Sequence, residues 1–248
     1  MRPLSVLLLL AAAVPAAAQD TSDAARYRAC LDLARTDAAQ AIERATEWRG
    51  NGGGIPARHC LGMAYGTKGD FAAATAELTA AARAAEVAHD PHAADLWGQA
   101  GNAALLDAKP AVALPAFTSG IAVAGTEPVR LAALLTDRAR AAVETNRTTE
   151  ARADLTRATG LDPSAVDGWL LLATLDRRLA DLPAAERAIL EAARREPADP
   201  DIALEAGNIA AAQGRLDLAR ASWNKVVAGA PGSDAAAAAA KALALNPG

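Results

Sequence analysis

Along most of the chain, apolar residues return at the three- and four-residue spacings of an amphipathic helix, and short polar or glycine turns break the runs. Residues 166–197 show the pattern most plainly, as two helices joined by a tight turn at Ala180 and Asp181. With Val166 as position 1, Trp169, Leu172 and Ala173 stand at 4, 7 and 8, and Ala185, Ile189 and Ala192 at 20, 24 and 27. Each set falls on one stripe of its helix. Small residues at 8, 20 and 27 let the two backbones approach, while bulk at 4 and 24 fills the space beside them. Pro197, at position 32, ends the second helix, because the residue before a proline is pushed out of the helical region.

The same grid recurs with starts at 132, 166 and 200, a spacing of 34 residues without a gap. Leu135, Ala139, Ala151, Leu155, Ala158 and Pro163 fill it in the third unit, and Ala203, Gly207, Ala219, Trp223, Val226 and Pro231 in the fifth. Upstream, a unit from 94 carries Trp97, Gly101, Ala113, Phe117 and Gly120, and a unit from 55 carries Leu61, Gly62, Tyr65, Ala74, Leu78 and Ala81. Three residues depart from the grid: Arg58 replaces an apolar residue at position 4, Asp176 stands at position 11, which Tyr65, Ala104 and Ala210 fill in other units, and Pro115, inside a helix, should remove a backbone bond and bend it.

This set of residues at this period resembles the tetratricopeptide repeat. The resemblance implies an all-α fold, an α-solenoid in which antiparallel helix pairs build a right-handed superhelix. It divides the chain into a signal peptide (1–18), an N-terminal helical hairpin with a Gly-rich linker (19–54), five repeats (55–233) and a C-terminal capping helix (234–248). In the hairpin, Thr36 or Asp37 suits a helix N-cap, and Ala29 and Ala41 fall at positions 8 and 20 from Ser22, as in a degenerate repeat. The Gly50–Gly54 run lacks a Gly-Lys-Ser/Thr ending, so it is expected to be a flexible connection rather than a phosphate loop. The Ala-rich segment 234–248 is expected to cover the last repeat, the alternative being a frayed tail.

The first eighteen residues look like a leader: Arg2, a short apolar run from Leu4 to Val14, then Pro15 before Ala16-Ala17-Ala18. Export follows, with cleavage after Ala18 and no membrane insertion afterwards; an uncleaved anchor is the other reading. The net charge of −4 and the lack of a basic patch interleaved with aromatics argue against nucleic acid as a partner. In an oxidising compartment the two cysteines, Cys30 and Cys60, are expected to pair, although two separate buried thiols would also satisfy the sequence.

Enzyme signatures are missing: no Gly-x-Ser-x-Gly elbow, no His-Glu-x-x-His and no Cys-x-x-Cys. Gly66-Thr67-Lys68-Gly69 falls in an inter-helix turn, and His89, Asp90 and His92 lie in a proline loop that offers a metal no fixed helical face. His59 is isolated, and Trp97, Trp169 and Trp223 belong to the packing layers by their repeat positions. No cofactor, no metal and no catalysis are expected.

In the family that the repeats resemble, the first helices line a concave groove, and positions 2, 5, 9, 12 and 13 commonly contact a peptide or partner helix. Carried over, position 9 gives Asn102, Arg140 and Asn208, and positions 12 and 13 of the fourth unit give Arg177 and Arg178. The resemblance implies a protein or peptide partner, with Asn amides meeting its backbone and Arg forks preferring an acidic group or C-terminal carboxylate. The same Asn residues could instead tie neighbouring repeats together, with the Arg residues solvated.

Overall fold

The computed structural model describes residues 16–247, so residues 1–15 of the expected leader lie outside the described part. Thirteen α-helices and no strand are found among the described residues. The chain forms two compact units, divided after Ala84.

The first unit holds α1 (Ala16–Thr36), α2 (Ala38–Gly50), α3 (Gly54–Lys68) and most of α4 (Phe71–Val87). Asp37 caps α2 by accepting from the Gln40 amide, as a short carboxylate at a helix start should. α1 packs on both α2 and α3. Cys30 is bonded to Cys60 across α1 and α3, and one turn away Tyr27 hydrogen-bonds His59, which is therefore not isolated. The buried residues of α1 are Cys30 and Ala34; Ala29, expected at the close approach, is exposed, and its neighbour Cys30 faces α3 in its place. The glycine run makes a close turn rather than a loose connection: a Cβ on Gly53 would lie 2.7 Å from Trp48 and from Ala57. Arg58 does not reach the apolar layer, because with Arg49 it pairs with Glu77 of α4, its own Nη1 lying 3.0 Å from Oε2.

The second unit contains four helix pairs: α5 (Ala93–Leu106) with α6 (Pro110–Val123), α7 (Pro128–Glu144) with α8 (Thr148–Leu161), α9 (Val166–Arg178) with α10 (Leu182–Arg195), and α11 (Pro200–Ala212) with α12 (Leu216–Gly229). Each pair packs on the next, and the first helices also touch in sequence, α5 on α7, α7 on α9 and α9 on α11. This is the α-solenoid arrangement, in which every helix pair buries its apolar stripe against its neighbours. α13 (Asp234–Leu245) lies on α11 and α12, burying Ala235, Ala236 and Ala239 against the last pair.

Close helix approach is set by the small residues at position 8. A Cβ on Gly101 would lie 2.5 Å from the Phe117 ring, and one on Gly207 2.5 Å from Trp223 Nε1. Where position 24 is Leu155 or Ile189, Ala139 and Ala173 fit instead. The turn within each pair carries one left-handed residue at position 15, namely Gly69, Ala108, Asn146, Ala180 and Gly214. α6 continues through Pro115, which lies on the helix wall beside an open cleft. Of the three tryptophans placed in the packing layers, Trp97 and Trp223 are buried, but Trp169 is only half-buried. Its indole donates to the Pro163 carbonyl at 2.9 Å, and the Arg195 guanidinium stacks 5.3 Å from its ring.

Candidate partner-binding face

Successive first helices of the second unit touch, so their solvent-facing stripes form one face. Asn102 on α5, Arg140 on α7, Arg177 and Arg178 on α9 and Asn208 on α11 all lie along it. Most of their polar groups are spent on neighbouring repeats. Asn102 donates to Asp137 at 3.1 Å. Arg140 pairs with that same Asp137 and, at 2.9 Å, with Asp167 of α9. Arg177 forks onto Glu205 of α11, with Nε 2.5 Å from Oε1 and Nη2 3.1 Å from Oε2. Asn208 donates to Glu205 and accepts from the Trp223 indole at 3.2 Å. The two polar chains tie α5, α7 and α9, and then α9, α11 and α12.

Arg178 alone of the five has no ion-pair or hydrogen-bond partner among the described residues, and it is exposed. It stands with Arg140 on the rim of a cleft of about 220 Å³ between α7 and α9. Val143, Leu171 and Leu175 form the walls, Ala139 and Leu155 lie beneath them, and Thr174 and Glu144 complete the rim. The cleft is open and mostly apolar, a surface that water covers poorly and a side chain from another molecule would cover well. Thr174 occupies position 9 of the fourth unit, so the grid that pointed to Arg140 pointed equally to it. Asp137 and Glu205 share position 6 and Asp167 stands at position 2, yet all three are recognisable as partners only once the repeats stack.

Beside the cleft wall, Asp176 sits at position 11, where the neighbouring repeats have alanine. It is 3% exposed. Its Oδ1 lies 2.7 Å from Arg152 Nε, close enough for an ion pair but without an aligned hydrogen bond. Burial pushes this carboxyl above its ordinary range, against the pull of Arg152. Asp181, in the adjoining turn, is held below its ordinary range by its hydrogen bond with the same arginine. No group of three or more His, Cys, Asp or Glu among the described residues is arranged to hold a metal ion.

Residues 136–175 and 170–234 match the family model for the tetratricopeptide repeat. That stretch of the chain consists of tetratricopeptide repeats. Its repeats superpose on PilF of Pseudomonas aeruginosa with a TM-score of 0.71 at 15% identity, covering 92% of this chain and 99% of that one. PilW, a widely conserved type IV pilus biogenesis factor, gives 0.70 at 17% identity over 86% of this chain and 96% of its own. YrrB, a tetratricopeptide-repeat protein with an unusual peptide-binding site, gives 0.57 at 17% identity over 79% and 96%. At such identities the likeness is one of fold. No curated protein sequence matches the chain. Tetratricopeptide repeats are protein-binding scaffolds, and a protein-interaction role follows for this array.

Proposed function

We propose that this protein is a non-catalytic scaffold or adaptor, exported to the periplasm of a Gram-negative bacterium, that holds a protein or peptide on the first-helix face of its repeats. The observation that carries the reading is the apolar cleft between α7 and α9, open on the face where Arg140 and Arg178 stand. A peptide-binding site on YrrB, which shares the fold, supports the same use of a repeat array. Export rests on the leader pattern of residues 1–18, and no helix among the described residues is long and apolar enough to cross a membrane. Asn102, Asn208 and Arg177 act in this reading as ties that hold the face in shape, while Arg140 and Arg178 border the bound segment.

Replacing Leu171 with Asp puts a charge into the cleft wall without touching any inter-repeat tie. Pull-down from envelope extract with the Leu171→Asp chain should lose the partner that the parent chain retains. A partner retained at the parent level would move the binding surface to the second helices or the terminal helices. That is the alternative role of an assembly factor for an envelope complex, and Leu190 and Leu218, exposed on α10 and α12, would be the first residues to change.

A further inference from the structure

We infer that the segment held in the α7–α9 cleft carries both signs of charge, an acidic and a basic residue flanking one bulky apolar side chain, rather than being uniformly acidic. The inference rests on the cleft being the partner site. The apolar part follows from Val143, Leu171 and Leu175, which leave a cavity of about 220 Å³ for a side chain to fill.

The charges follow from what the structure has already neutralised. Arg177 is bound by Glu205, itself only 6% exposed, and cannot turn to a ligand without leaving that carboxylate buried and alone. Arg140 faces two carboxylates, Asp137 and Asp167. Two unpaired charges remain on the cleft rim, and they are of opposite sign: Arg178 on α9 and Glu144 on α7. They occupy the same position, 13, of consecutive repeats, so a segment crossing the cleft passes both. Around the whole cleft, two cations stand against three carboxylates, Asp137, Glu144 and Asp167. A uniformly acidic segment would meet Arg178 but be repelled by Glu144, and a uniformly basic one would be repelled by Arg178. A carboxylate placed at Arg178 and a cation placed at Glu144 satisfy both. Opposed charges also fix the direction in which the segment lies, which like charges would not.

The test uses three labelled synthetic peptides of 15 residues with the same central leucine, flanked by acidic, basic or mixed residues, and fluorescence anisotropy with the full chain at low salt. The mixed peptide should bind roughly three- to tenfold more tightly than either of the others. In the double variant Glu144→Arg, Arg178→Glu, a fourth peptide, the mixed one in reversed order, should take over that preference. The parent chain favouring the acidic peptide would overturn the inference and leave the cleft as a binding site. No binding by any peptide, or binding unaffected by Leu171→Asp, would overturn the cleft reading and the inference with it.

Discussion

Arg177 and Glu205 form a forked pair across the boundary between the fourth and fifth repeats, with nitrogen–oxygen distances of 2.5 and 3.1 Å. Glu205 is buried, and the arginine side chain is 25% exposed. Removing the arginine strands a carboxylate in a dry interface, whereas removing its neighbour Arg178 strands nothing. Arg177→Ala should cost about 2 to 3 kcal/mol in urea unfolding, below the full value for a wholly buried pair because water can reach part of the site. Arg178→Ala should cost less than about 0.5 kcal/mol. Equal losses would show that the two arginines do not differ as the structure has them.

The contribution of Asp176 to stability changes in size with pH. Its carboxyl is pushed up by burial in the fold, so the folded chain holds that proton more tightly than the unfolded chain. The associated stability is fully present below the unfolded value of 3.8 and is lost as pH rises through the higher folded value. At neutral pH the charged Asp176 is therefore a cost to the fold. Asp176→Asn should be more stable than the parent near neutral pH, and the difference should shrink on acidification. Arg152 keeps Asp181 in both chains. A difference that widened as pH fell would contradict this account.

The Cys30–Cys60 bond closes a loop with a sequence separation of 30 in the first unit. Non-reducing intact mass should be lighter by two hydrogens than that of the reduced chain. Reduction should lower the stability of that unit by roughly 3 to 4 kcal/mol on the chain-entropy model. Amide hydrogen exchange should then speed up in α1 and leave α9 and α10 unchanged.

Ala180 adopts φ 61° in the turn between α9 and α10, at the position that Gly69 and Gly214 fill in other repeats. An L side chain in this region is crowded by its own backbone, and glycine is not. Ala180→Gly should raise stability by about 0.5 to 1 kcal/mol after the extra flexibility of glycine in the unfolded chain is counted. Thermal unfolding of the variant measures this, and a lower melting temperature would refute it.

The helix pairs and their apolar grid were legible in the sequence because each repeat solves the same packing problem at the same spacing. Gly101 beneath Phe117 and Gly207 beneath Trp223 follow directly from that grid. The face was legible only in outline. Position 9 pointed to Asn102, Arg140 and Asn208, but whether an exposed side chain serves a ligand or a neighbour depends on Asp137, Asp167 and Glu205, which meet Asn102, Arg140 and Arg177 of the preceding first helix only once the repeats stack. The same limit applies to α1, where Cys30, bonded to Cys60 of α3, is buried and Ala29 is not. It explains Trp169 as well, since Arg195 reaches its ring from the paired helix.

A partner held in the cleft between α7 and α9 touches the rim of that cleft and not the second helices. A photo-crosslinking amino acid placed at Thr174, on the cleft rim, and separately at Leu218, exposed on α12, compares that face with the second-helix side directly. Irradiated in cells, the chain labelled at 174 should yield a discrete adduct that disappears with Leu171→Asp, and the chain labelled at 218 should yield none. A discrete adduct from 218 with none from 174 would contradict the account.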